Sequence, residues 1–140
     1  MTRPRILLAD DHHEMREVVT RLLEPEFEIV GAVKDGNSLL KAAATLNPDL
    51  CILDITMPFV SGIEATAQLK AGASAPKVII LTIHEDVDFV EAALKSGASG
   101  YVVKSHMASD LRPAVKAVLA GRSFVSSSLS YDRGSANVKT

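Results

Sequence analysis

Hydrophobic and polar residues alternate along this chain in two distinct rhythms. Short apolar runs, rich in Val, Ile and Leu, stand at Ile6–Ala9, Ile29–Val33, Leu50–Leu53, Val78–Leu81 and Tyr101–Val103. They are too short for globular helices, and near-continuous apolar runs suit strands covered on both faces of a parallel sheet. Between them lie stretches of helical period. Met15, Val18, Val19, Leu22 and Leu23 form one stripe, and Leu39, Leu40, Ala43 and Leu46 a second. Ile63, Ala67 and Leu69 give a weaker third, Val90, Ala93 and Leu94 a fourth, and Leu111, Val115, Val118 and Leu119 a fifth. Pro25, Pro48, Gly72, Gly97 and Gly121 follow the five stripes in turn, as helix-terminating residues should. Five strand–helix units predict an α/β domain, a parallel sheet sandwiched between helices. Beyond Gly121 the pattern lapses into "SFVSSSLSYDRGSANVKT", serine-rich and without a sustained stripe. The expected organisation is one domain over 1–121 and a flexible tail or interdomain linker over 122–140.

Composition narrows the class. The 140 residues, 47% hydrophobic and 23% charged, are enough for one core without metal or disulfide support. A net charge of -2 supplies no basic field for nucleic acid or anionic membrane. The single cysteine, Cys51, has no partner for an internal disulfide and reads as a small buried hydrophobe. No apolar run approaches the ~20 residues of a membrane span, and no secretory signal stands at the start. The expected setting is cytoplasmic.

The candidate chemistry follows from what stands after each apolar run, because open parallel sheets bind ligands outside the carboxyl ends of their strands. Asp10 and Asp11 follow the first run, Asp54 the third, Thr82 the fourth and Lys104 the fifth. Taken singly, each has an ordinary reading. Asp10 or Asp11 suits a helix N-cap, Asp54 suits a turn before Pro58, Thr82 suits a cap of the fourth helix, and Lys104 suits a solvated strand end. His12, His13 and His84 read as surface residues, and no Cys/His spacing suggests zinc. Taken together, three carboxylates on one edge repel one another and call for a hard divalent cation such as Mg²⁺. A carboxylate can attack phosphorus, and an ammonium and a hydroxyl nearby suit the charge stabilisation of phosphoryl transfer.

The motifs "RILLADDH", "DLCILDITMPFVSGIEA", "VIILTIHED" and "GASGYVVKS" are together specific, and over residues 4–121 the sequence resembles the CheY-like receiver domain of two-component response regulators, most closely the NarL/FixJ class. The resemblance implies a flavodoxin-like doubly wound five-stranded parallel sheet, order 2-1-3-4-5, with five helices. It implies that Asp54 is the phosphoacceptor for a sensor histidine kinase. Asp10, Asp11, Asp54 and the backbone carbonyl of Thr56 then hold Mg²⁺. Lys104 binds the phosphoryl group, Thr82 is the switch hydroxyl and Tyr101 the switch aromatic. Phosphorylation is then expected to repack the face made by the fourth helix, fifth strand and fifth helix, in many relatives a dimer surface. Ser105 stands where many receivers have proline.

Relatives of this class usually carry a C-terminal helix-turn-helix domain. Nothing after Gly121 supplies one, so the chain is expected to lack direct nucleic-acid binding and to be a truncated regulator of transcription. Three alternatives stand beside this: a single-domain receiver, an unphosphorylated receiver-like interaction module, and a haloacid-dehalogenase-like phosphatase. The last wants an aspartate where Thr56 stands. On the favoured reading the protein is a switch that catalyses only its own phosphorylation and dephosphorylation, not an enzyme acting on other substrates.

Overall fold

The computed structural model describes residues 3–126. Strands and helices alternate in the order β1 (Arg5–Ala9), α1 (His13–Leu23), β2 (Glu28–Val33), α2 (Gly36–Leu46), β3 (Leu50–Leu53), α3 (Gly62–Lys70), β4 (Lys77–Thr82), α4 (Val87–Lys95), β5 (Gly100–Val103), α5 (Met107–Leu119) and β6 (Phe124–Val125). A single 3₁₀ turn, Lys104–His106, joins β5 to α5. All strand pairings are parallel, and the sheet order is β2-β1-β3-β4-β5-β6. The expected flavodoxin-like sheet is therefore present, with one short strand added at the β5 edge.

Burial explains why the apolar runs became strands. β3 and β5 are buried throughout, and β1 and β4 are buried except at their first residue. Alternate residues feed two cores. Leu7, Cys51, Leu53 and Ile80 pack with Leu39, Ala43, Leu69 and Val90 of α2, α3 and α4. Ile6, Leu8, Ile52 and Leu81 pack with Val19, Leu23, Leu111 and Val115 of α1 and α5. Each fully buried Leu or Ile contributes roughly 1.5–3 kcal/mol of transfer free energy. β2, at the far edge, is only partly covered, which suits its interrupted pattern around Gly31. Cys51 is fully buried, and burial pushes its thiol up to about 12.

α3 corrects the stripe read from sequence. Its buried residues are Gly62, Ala65, Thr66 and Leu69, whereas Ala67 faces solvent. Thr66 can occupy the core face because its hydroxyl donates to the Gly62 carbonyl at 2.7 Å, satisfying the only polar group it buries. A threonine on the apolar face hides the period.

β6 also departs from the pattern. Phe124 and Val125 pair with Gly100 and Tyr101, and Ser126 is buried. The Ser126 hydroxyl accepts from Val103 N–H at 3.1 Å and donates to Asp110 Oδ2 at 2.8 Å, stapling this segment to β5 and α5. Residues 127–140 of the expected tail lie outside the described residues.

Gly62 bears most directly on the site. Its N–H donates to the Ile55 carbonyl at 2.7 Å, and a Cβ there would collide with the Asp54 carbonyl oxygen. Only the missing side chain lets the start of α3 return so close to the end of β3. Gly62→Ala is expected to destabilise the protein by about 2 kcal/mol, as overpacking does, and to displace Asp54. Urea unfolding together with amide shifts of residues 54–57 checks both.

Candidate functional site

The strand order reverses between β1 and β3, since α1 packs on one face of the sheet and α3 on the other. Such a reversal opens a crevice at the carboxyl ends of the strands. Asp10 and Asp54, each the first residue beyond its strand, face this crevice, and backbone bonds fix them there. Asp10 N–H donates to the Val33 carbonyl at 3.0 Å and Asp54 N–H to the Ala9 carbonyl at 3.2 Å.

The two buried carboxylates are bonded alike. Asp10 Oδ1 accepts from His12 N–H at 2.9 Å, and Asp54 Oδ1 from Ile55 N–H at 2.7 Å. Their second oxygens share one ammonium: Lys104 Nζ lies 2.8 Å from Asp10 Oδ2 and 2.9 Å from Asp54 Oδ2. Only 9% of the Lys104 side chain is exposed. Burial works against its charge, but the hydrogen bonds and charges of Asp10 and Asp54 prevail and hold its pKa above the ordinary lysine value. Lys104 is thus no solvated strand end.

Asp11, a third exposed, adds a third carboxylate and lies 3.0 Å from His12 Nδ1. Neither Asp10 nor Asp11 caps α1: the cap position is His12, which makes no side-chain capping bond. Three carboxylates against one ammonium leave an excess of negative charge, and the donors are oxygen-rich. That set fits a hard divalent cation. Asp11, Asp54, Thr56 and Lys104 line one cavity of about 310 Å³.

Thr82 is fully buried at the end of β4 and does not cap α4, whose cap position is Asp86. Its hydroxyl accepts from His84 N–H at 3.3 Å. Tyr101 is fully buried, and its hydroxyl donates to the His84 carbonyl at 2.8 Å. Burial raises its pKa, with the charges of Asp54 and Asp86 adding to the effect. Neither Thr82 nor Tyr101 lines the cavity; both reach it through His84.

His84 corrects the expectation of a surface residue. It is only partly exposed, its ring stacks on Phe89 with centroids 4.3 Å apart, and its Nε2 lies 3.1 Å from the Thr56 hydroxyl across the cavity mouth. Two large apolar side chains stand exposed in the flanking loops, Phe59 (81%) and Ile83 (70%). Phe59 has a φ of 72°, a left-handed conformation that costs a non-glycine residue on the order of 1 kcal/mol. Neither the His84 bridge nor the strain at Phe59 has a sequence signal, because each depends on loop geometry.

A doubly wound parallel sheet with an acidic pair after β1, an aspartate after β3 and a buried lysine after β5 defines a receiver domain. The comparisons agree: residues 6–116 match the response regulator receiver domain family, and the chain belongs to it. It is 42% identical over 123 residues to the transcriptional regulatory protein DegU of Brevibacillus brevis, covering 86% of this chain and 52% of that protein. It is 32% identical over 126 residues to the nitrate/nitrite response regulator protein NarL of Escherichia coli K12, covering 89% and 58% respectively. The chain thus spans about half the length of the curated relatives it matches. Among solved structures, a LuxR-family two-component response regulator from Aurantimonas sp. SI85-9A1 superposes with a TM-score of 0.89 at 34% identity, over 98% of this chain and 99% of that one. The signal receiver domain of the putative response regulator NarL from Mycobacterium tuberculosis gives 0.83 at 28% identity, over 87% and 100%. This chain is accordingly a receiver domain of the LuxR-family two-component response regulators. Among the described residues no helix is long and apolar enough to cross a membrane.

Removing Lys104 would leave two buried carboxylates facing each other without a counter-ion. Lys104→Ala is expected to cost on the order of 3 kcal/mol at pH 7 in urea unfolding, and Asp54→Asn in the same chain should recover part of it. Because the folded pKa is raised, this contribution is complete below the ordinary lysine value of 10.5 and is lost as pH climbs through the folded value. The stability gap between wild type and Lys104→Ala should therefore stay constant to about pH 10 and close above it.

Proposed function

We propose that this receiver accepts a phosphoryl group on Asp54 from the phosphoimidazole of a sensor histidine kinase. The observation that carries this reading is the sharing of Lys104 between Asp10 and Asp54 at the head of an acidic cavity. In the reaction an Asp54 carboxylate oxygen forms a bond to phosphorus as the phosphorus–nitrogen bond of the donor breaks. The departing imidazole nitrogen takes up a proton. Mg²⁺, held by Asp10, Asp11, Asp54 and the Thr56 carbonyl, would supply positive charge to the phosphoryl oxygens.

The chain's own groups do the remaining work. The Ile55 N–H and the strand end orient the carboxylate, so that little reorganisation precedes attack. Lys104 already touches Asp54 Oδ2 and is placed to follow the new negative charge onto the phosphoryl group. The phosphoryl group adds about -1.5 to -2 charge and new acceptor oxygens. Thr82 turns to donate to one of them, and its present bond to His84 N–H is given up. Because His84 also holds the Tyr101 hydroxyl, this change reaches β5 and repacks the face of α4, β5 and α5.

Output through a DNA-binding domain elsewhere in a longer protein is supported by the half-length match to transcriptional regulators, and a phosphorylation-dependent homodimer by the likeness to RcsB, solved as dimers bound to DNA. An unphosphorylated interaction module is disfavoured because the acidic set, threonine and lysine are all retained. The phosphatase reading is disfavoured by Thr56, which has no carboxyl to act as general acid.

A small acyl phosphate with Mg²⁺ is expected to leave one base-labile phosphate per chain, absent with EDTA and absent in Asp54→Asn; stoichiometric labelling of Asp54→Asn would overturn the assignment. Sedimentation of the phosphorylated chain at high concentration should show a dimer, and an unchanged monomer would remove that part.

A further inference from the structure

His12 lines the acidic cavity, and the reading above has no use for its imidazole. It occupies the cap position of α1 in an extended conformation, φ -102° and ψ 116°, yet its imidazole caps nothing. The backbone N–H of His12 is bonded to Asp10 Oδ1, which sets the ring beside the acidic pair. Its Nδ1 lies 3.0 Å from Asp11 Oδ1 and 3.3 Å from Asp10 Oδ1. Bonds of about 2.1 Å at right angles, as in an octahedral shell, put neighbouring donor atoms about 3 Å apart. The imidazole nitrogen therefore already stands near that spacing from each carboxylate oxygen, and ligand atoms of Asp10, Asp11 and His12 all lie within 4.8 Å of one another. The ring also lines the same cavity as Asp11, Asp54 and Thr56, and its 72% exposure leaves it open to an arriving ion.

We propose that His12 is a ligand of the cation site, turning an all-oxygen site into a mixed nitrogen–oxygen one that prefers first-row transition ions to Mg²⁺. The proposal rests on the cation reading given under the proposed function. With its proton on Nε2, a neutral imidazole offers the Nδ1 lone pair to a metal. Mg²⁺ gains little from such a donor, whereas affinity for nitrogen rises along the series from Mn²⁺ to Ni²⁺ and Cu²⁺. A carboxylate-only receiver holds these ions through oxygen and discriminates less. Simple hydrogen bonding of the ring to Asp11 gives the same resting distances but no metal selectivity, and this separates the two explanations.

The test uses the untagged full chain stripped with chelator, titrated calorimetrically with MgCl₂ and with NiCl₂. Wild type is expected to bind Ni²⁺ at least about tenfold more tightly than Mg²⁺. His12→Asn should lose about tenfold in Ni²⁺ affinity and stay within about twofold for Mg²⁺, since the exposed ring caps nothing and the fold should be unaffected. Electron paramagnetic resonance of the Cu²⁺-loaded chain should show coupling to an imidazole nitrogen that vanishes in His12→Asn and persists in His84→Asn. If the Ni²⁺/Mg²⁺ ratio is unchanged in His12→Asn, or if the imidazole coupling follows His84 instead, His12 is not a ligand. Asp11→Asn separates this from the underlying reading: it should weaken both ions, and Mg²⁺ binding indifferent to Asp11→Asn would remove the cation site itself along with the proposal.

Discussion

One ammonium holds the reactive edge of this protein together. Lys104 arrives from the end of β5 and bonds at once to the carboxylates that follow β1 and β3, at 2.8 and 2.9 Å. Without it, Asp10 and Asp54 would face each other as buried like charges with no counter-ion, a strongly destabilising arrangement. With it, the two carboxylates are held side by side at the carboxyl edge of the sheet. The sheet order makes this contact available, since it sets β1 beside β3 at the centre and brings β5 within a lysine's reach. The fold can be understood as the means of delivering three charges to one point.

Lys104 neutralises only part of the charge it gathers, and the remainder gives the site its chemistry. Asp11 leaves the cluster short of positive charge, which suits it to a cation. A phosphoryl group carries its own negative charge, and its oxygens compete with the carboxylates for Lys104. On the proposed function, the resting pair is thus an interaction that phosphorylation of Asp54 would dismantle. That is a reason for a buried ion pair to persist here even though such pairs are weak sources of stability.

How much of this was readable in the sequence depended on whether a feature was local. Apolar runs such as Leu50–Leu53 announce buried strands because burial on both faces demands them, and the acid or lysine that ends each run is visible as a break in the pattern. The α3 stripe was misjudged because Thr66 buries its hydroxyl by bonding within its own helix, so a polar letter stands on the core face. β6 was missed because two residues carry no period, and its hold on the sheet comes from Ser126, whose partners are distant in sequence. His84 was misread for a similar reason. Its role comes from a stack on Phe89 and a bond to Thr56 that only the folded loops create.

The short β6 strand decides where the polypeptide leaves the sheet. It runs parallel to β5, and Ser126 sits against Val103, the residue before Lys104. The described chain therefore exits at the same rim that carries Asp54, not at the opposite end where β1 begins. Ser126 itself is thereby tied to the reactive edge, separated from Lys104 by a single hydrogen bond and a single peptide unit.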